Sequence, residues 1–159
     1  MLGNSEDDGN IVDICGDYLQ KKELHRTSGY IESLDYPYIY SSNSMCSCNL
    51  SMENSQGEII LNILDLSLNA GAGVQSGSQP AADWLEYAQN IDYWGRGRLV
   101  RHEDIGREIR TGMSTLMINF NSDSTSESRG FWMRYQGIGQ QGQEERVKIT
   151  CGTTNPPSK

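Results

Sequence analysis

Thr115-Leu116-Met117-Ile118-Asn119-Phe120 is the stretch that decides the fold. Leu116, Ile118 and Phe120 recur with a period of two, so an extended segment carries all three on one face, and that face is expected to be core. A second run repeats the pattern: Phe131, Met133 and Tyr135 alternate with Trp132 and Arg134. Outward from these two, short apolar and β-branched runs lie at Gly29 to Ile31, Cys46 to Met52, Glu58 to Leu66, Trp84 to Tyr87, Arg98 to Arg101 and Arg146 to Thr150. Turn-forming Gly, Asn, Asp and Ser separate them, which predicts an all-β fold, an antiparallel β-sandwich. Helical support is thin. Glu103 to Ile109 has room for a turn or two, but Gly106 interrupts it and Gly112 follows closely. Asn69 to Ala82 is rich in small residues and reads as a long surface loop.

A chain of 159 residues has room for one domain with a real core and little more. Hydrophobic residues at 36% and charged residues at 21%, with 17 glycines, describe a turn-rich globular chain rather than a disordered one. The 13 Lys and Arg against 21 Asp and Glu leave a formal charge of -8, which opposes phosphate neutralisation and argues against nucleic-acid binding. No apolar run approaches the roughly 20 residues needed to insert in a membrane. The start, Met1 to Asp8, lacks the basic and apolar regions of a signal peptide. That leaves a cytosolic protein, or a fragment that follows a removed signal. Residues 1–14 are read as a flexible acidic leader.

Cys15, Cys46, Cys48 and Cys151 allow three disulfide connectivities or one zinc site. A thiolate zinc site needs two close pairs, and only Cys46 and Cys48 are close. Disulfides are therefore favoured, and with them an oxidising compartment.

Gly29-Tyr30-Ile31-Glu32-Ser33-Leu34-Asp35-Tyr36-Pro37-Tyr38-Ile39-Tyr40 resembles the CUB family motif G-x-I-x-S-P-x-Y-P-x-x-Y, with Leu34 in place of the first proline. Cys15-Gly16 resembles the family's opening Cys-Gly, and Cys46 stands where its partner is found, so the resemblance implies a Cys15–Cys46 disulfide. Further matches are Asp65-Leu66-Ser67-Leu68 (D-F-x-L), Asp83-Trp84-Leu85 (D-x-L), Phe120-Asn121-Ser122-Asp123 (F-x-S-D) and Gly130-Phe131 with Tyr135 (G-F-x-x-x-Y). The resemblance divides the chain into a leader, a CUB domain over 15–136 and a C-terminal extension over 137–159. It implies a jelly-roll-type antiparallel sandwich, no catalysis, and protein–protein recognition outside the cell in a receptor, adhesion or secreted multidomain protein. Alternatives are a secreted single-CUB protein that binds carbohydrate, and a structural spacer.

Two departures stand out. Cys48 takes the position of a core Trp, and the family's second cysteine pair is missing, with Pro80 near its first member. Alternation sets Cys46 and Cys48 on the same inward face. A Cys48–Cys151 bond would tie the extension back over the sandwich; otherwise Cys48 is a buried free thiol and Cys151 begins a further module or pairs with another chain.

Many CUB domains hold calcium through a Glu after D-F-x-L, the Asp of D-x-L and the Asp of F-x-S-D. The matching positions are Asn69, Asp83 and Asp123. Calcium takes six to eight oxygen ligands, and an amide oxygen contributes no charge. The competing reading has Asp123 capping a turn and Asp83 simply solvated. Asn49-Leu50-Ser51 is an N-glycosylation sequon, with Asn49 on the outward side of its strand. Gly137 to Gly142 fits G-x-G-x-x-G, but too few residues follow for a βαβ unit, so a turn is the better reading. His25 and His102 stand in no catalytic pattern, and there is no G-x-S-x-G. As contacts for an extracellular protein partner, the sequence offers Trp132, Arg134, Tyr93, Trp94, Arg96, Arg98 and Arg101, because aromatic and Arg side chains dominate interface energetics. Each has the simpler alternative of packing on the sandwich or being solvated.

Overall fold

Two sheets face one another in this computed structural model, which describes residues 11–16, 23–33, 36–37, 45–54, 56–68, 83–89, 97–122 and 129–153. The strands in chain order are β1 (Ile11–Asp13), β2 (Glu23–Arg26), β3 (Ser28–Glu32), β4 (Met45–Met52), β5 (Gly57–Ser67), β6 (Trp84–Ala88), β7 (Arg98–Leu99), β8 (Glu108–Arg110), β9 (Thr115–Asn121), β10 (Gly130–Gly139) and β11 (Val147–Thr153). The first sheet runs β1-β3-β10-β5-β8 and the second β2-β11-β4-β9-β6-β7. All pairings are antiparallel except β1 with β3.

The alternation works as expected. Leu116, Ile118 and Phe120 of β9 are buried against Phe131, Met133 and Tyr135 of β10, and the Phe120 and Phe131 rings meet edge to face with centroids 5.5 Å apart. Ile59, Leu61, Ile63 and Leu66 of β5 and Cys46, Cys48, Leu50 and Met52 of β4 complete the facing surfaces. Burying a large aliphatic or aromatic side chain contributes roughly 1.5 to 3 kcal/mol, so this two-sided layer is the main source of stability.

Three strands were not anticipated. β1 lies inside the stretch read as leader, where Ile11 and Val12 pair with Tyr30 and Ile31. Ile14 just after it is fully buried, so the sandwich begins before residue 15. β2 (Glu-Leu-His-Arg) and β8 (Glu-Ile-Arg) carry one apolar residue each, too few for a period to be seen. The helical turn expected over Glu103 to Ile109 is a 3-10 turn at His102–Asp104, ended by Gly106 at a φ of 85° before β8 begins.

Within the stretch read as an extension, residues 137–139 and 147–153 are strand. β10 continues through Gly139, and β11 lies between β2 and β4, in the interior of the second sheet.

Cys15, after β1, is joined to Cys46 at the start of β4, so this bridge links the two sheets. Cys48 is joined to Cys151, which faces it in register on β11, within one sheet rather than over the sandwich. Gly16 has a φ of 57°, and a Cβ there would lie 2.8 Å from the Cys151 carbonyl oxygen. Only glycine accepts both the left-handed backbone and this close approach.

Candidate functional site

Outward-facing positions on the first sheet are set by the same alternation that fills the core. Because Ile31 and Met133 point inward, their neighbours Tyr30, Glu32, Trp132 and Arg134 point outward. Registration then lays two rows across four strands. One row is Asp13, Glu32, Trp132 and Asp65; the next is Ile11, Tyr30, Arg134 and Asn62.

Aromatic rings crowd the middle of this face. Trp132 stacks on Tyr30 with centroids 5.7 Å apart, and Tyr36 approaches it at 6.2 Å. Asp65 anchors the far side: Arg129 donates to it through Nε (2.6 Å) and Nη2 (2.7 Å), and the Tyr36 hydroxyl donates at 2.6 Å. A bidentate guanidinium–carboxylate pair is directional, so it fixes Tyr36 beside Trp132 and not merely nearby. These bonds, Arg129 first, hold the Asp65 carboxyl down at about 2. Glu32 moves the other way, raised by partial burial and then by the charge of Asp13. Arg134 donates to Gln136 at 3.2 Å, and Ile11, at 40% exposure, extends the apolar edge beside Tyr30. The face is a half-buried aromatic ladder with charges at both flanks.

The sequence had singled out Trp132 and Arg134 and missed Tyr30, Tyr36, Asp65 and Arg129. Arg98 and Arg101 are exposed but belong to the β7 edge of the second sheet and the 3-10 turn beyond it. The structure therefore does not gather them with Trp132. Tyr93, Trp94 and Arg96 lie outside the described residues. His25 and His102 are both exposed; His25 Nδ1 contacts Glu53 Oε2.

Asp83 is 2% exposed at the head of β6, so it is not simply solvated. Asn69 and Asp123 lie outside the described residues. The backbone nevertheless relates the flanking strands. Trp84 pairs with Asn121, so β6 starts where β9 ends, and the end of β5 pairs with Gly130 at the start of β10, the strand that follows β9. Among the described residues, no group of three or more His, Cys, Asp or Glu is placed to hold a metal. The three positions offer hard oxygens, two carboxylates and an amide, which fits calcium in kind and with less charge than three carboxylates.

On the second sheet Asn49 is exposed at the middle of β4, and Glu86 is buried, accepting from Asn119 Nδ2 (2.7 Å) and the Gly97 amide (2.9 Å). That network holds β9, β6 and the approach to β7 together. No helix among the described residues is long and apolar enough to cross a membrane.

A family model described as "CUB domain" matches residues 15–135. Ovochymase of Halocynthia roretzi is 30% identical over 146 residues, covering 87% of this chain and 8% of that protein. Two solved structures share the fold. The MASP-1 CUB2 domain bound to Ca2+ has a TM-score of 0.53 at 21% identity, over 80% of this chain and 97% of that one. The full extracellular region of zebrafish Gpr126/Adgrg6 has 0.55 at 18% identity, over 72% of this chain and 14% of that one. The chain thus spans a small part of two of these proteins and nearly all of the third.

Proposed function

The chain belongs to the CUB domain family, and on that premise we propose that it is a non-catalytic recognition module of an extracellular protein, meeting a protein partner through the outer face of the first sheet. The observation that carries this is the Tyr30–Trp132–Tyr36 ladder, held by Asp65 and Arg129 and left half-exposed. Rings already fixed by packing and a bidentate ion pair lose little freedom on binding, which is what an interface anchor needs. The excess negative charge of the chain favours approach of basic partners.

The test uses the disulfide-intact chain as bait against extracellular proteins presented one at a time. With a binder in hand, Trp132→Ala is expected to cost about 2 kcal/mol or more, roughly 30-fold in Kd, while Arg98→Glu on the other sheet leaves it unchanged. The opposite pattern overturns the assignment of the face. Binding only to glycans on an array would favour the carbohydrate reading. Absence of any partner, together with altered geometry when the module is removed from a longer protein, would favour a spacer.

Calcium belongs to the same reading. Asp83, with Asp123 and Asn69, would hold it at the end of the sandwich where β5 and β9 finish and β6 begins. An ion held by all three would join the chain just past the ends of β5 and β9 to the head of β6. The supporting observation is the donor set itself, two carboxylates and an amide oxygen at the three positions that match the family's.

A further inference from the structure

Asn49-Leu50-Ser51 is the one N-x-Ser/Thr sequon in the 159 residues. We propose that Asn49 carries an N-linked glycan whose first sugars lie across a hollow on the outer face of the second sheet.

The strand settles which way the sequon points. Cys48, Leu50 and Met52 are buried in the core, which turns Asn49 and Ser51 outward, and Asn49 is exposed. β4 is an interior strand, so Asn49 stands mid-sheet, opposite Thr150 on β11 and Met117 on β9. Beside it is an open hollow of about 430 Å³ whose lining includes Asn49, Ser51, Gln89, Thr115, Met117 and Lys148. Met117 supplies an apolar floor, and the Thr, Ser, Gln and Lys side chains supply hydrogen-bonding groups at the rim. A sugar ring has the same division, with C–H groups on its faces and hydroxyls around its edge. The two disulfides suit a chain matured in the oxidising compartment where this modification is made.

The chemistry is a glycosyl transfer from a polyprenyl-diphosphate-linked oligosaccharide. The Asn49 amide nitrogen forms a bond to C1 of the first sugar, the bond from C1 to the diphosphate oxygen breaks with its electron pair leaving on the diphosphate, and the amide gives up one proton. A glycan rooted mid-sheet would cover the outer face of the second sheet. This inference stands independently of the recognition face on the first sheet.

The chain is expressed through the secretory pathway of animal cells, and its intact mass is measured before and after peptide:N-glycosidase treatment. One glycan is expected, lost on treatment with conversion of Asn49 to Asp, and absent from both Asn49→Gln and Ser51→Ala. Secreted, disulfide-bonded protein with unmodified Asn49 overturns the proposal, and that result requires no variant to fold. For the covering, acylation of Lys148 is expected to be slower in the glycosylated protein than in the enzymatically deglycosylated one. Equal rates would remove the hollow from the proposal.

Discussion

Tyr135 is wholly buried, and its hydroxyl has no hydrogen-bond partner among the described residues. An unsatisfied buried hydroxyl is a cost, so Tyr135→Phe is expected to stabilise the domain by about 1 kcal/mol, read as a higher urea midpoint at unchanged slope. A lower midpoint would mean that the hydroxyl does have a partner. Burial also pushes the phenol from 10.0 up to about 12. The folded state therefore resists its deprotonation; that stability is complete below about pH 10 and lost as pH rises towards 12, and the Phe variant lacks the alkaline loss. Asp65 has the opposite sign. Its carboxyl is lowered from 3.8 to about 2 by Arg129 and Tyr36, so its contribution is present above about pH 4 and lost as pH falls to 2. Asp65→Asn should lower stability at neutral pH and flatten the acid limb of a melting-temperature profile; an unchanged limb would show that other carboxylates govern it. The two cases differ in how well the sequence foretold them. Tyr135 was assigned to the core by a period of two within its own strand, which is local information. Asp65 was matched to a motif, yet its partners are 29 and 64 residues away, and the cluster exists only once β5 and β10 are in register.

Among the elements, β11 has the largest consequence relative to its signal. Val147 and Ile149 marked a short strand, but no local pattern says where in a sheet a strand inserts, so the stretch was read as an extension. Its pairing with both β2 and β4 makes it structural. A chain cut after Gln136 is expected to lack the cooperative unfolding transition and the β-sheet circular dichroism of the full chain. A stable, cooperative truncated domain would contradict the topology. Replacing Cys48 and Cys151 together with Ala keeps β11 but opens a closed loop of about 100 residues, which on the loop-closure model lowers stability on the order of 4 to 5 kcal/mol. The denaturant midpoint should fall accordingly. β1, β2 and β8 were missed for a different reason: three or four residues with one or two apolar side chains form strands only because a longer neighbour is already in place.

At the scale of the molecule, the family and the sandwich were readable because its motifs are spaced along most of the chain, and spacing survives substitution. The recognition face was not, since it is assembled from β3, β5, β10 and Tyr36. Calcium is a whole-molecule question, because a ligand that binds only the native state must raise its stability. If Asp83, Asp123 and Asn69 hold the ion, the melting temperature rises at millimolar calcium relative to chelator, and Asp83→Ala abolishes the rise. No shift in the unsubstituted chain would retire the site. Finally, the place of β11 bears on biosynthesis. Cys48 leaves the ribosome 103 residues ahead of its partner, an interval of roughly 5 to 20 seconds at ordinary rates of translation. Throughout it, β2 and β4 await the strand that belongs between them, and a thiol destined for the core stays available to oxidants and to the wrong cysteine. The native Cys48–Cys151 bond therefore cannot form before β11 has emerged, which makes it a late event in the maturation of this domain.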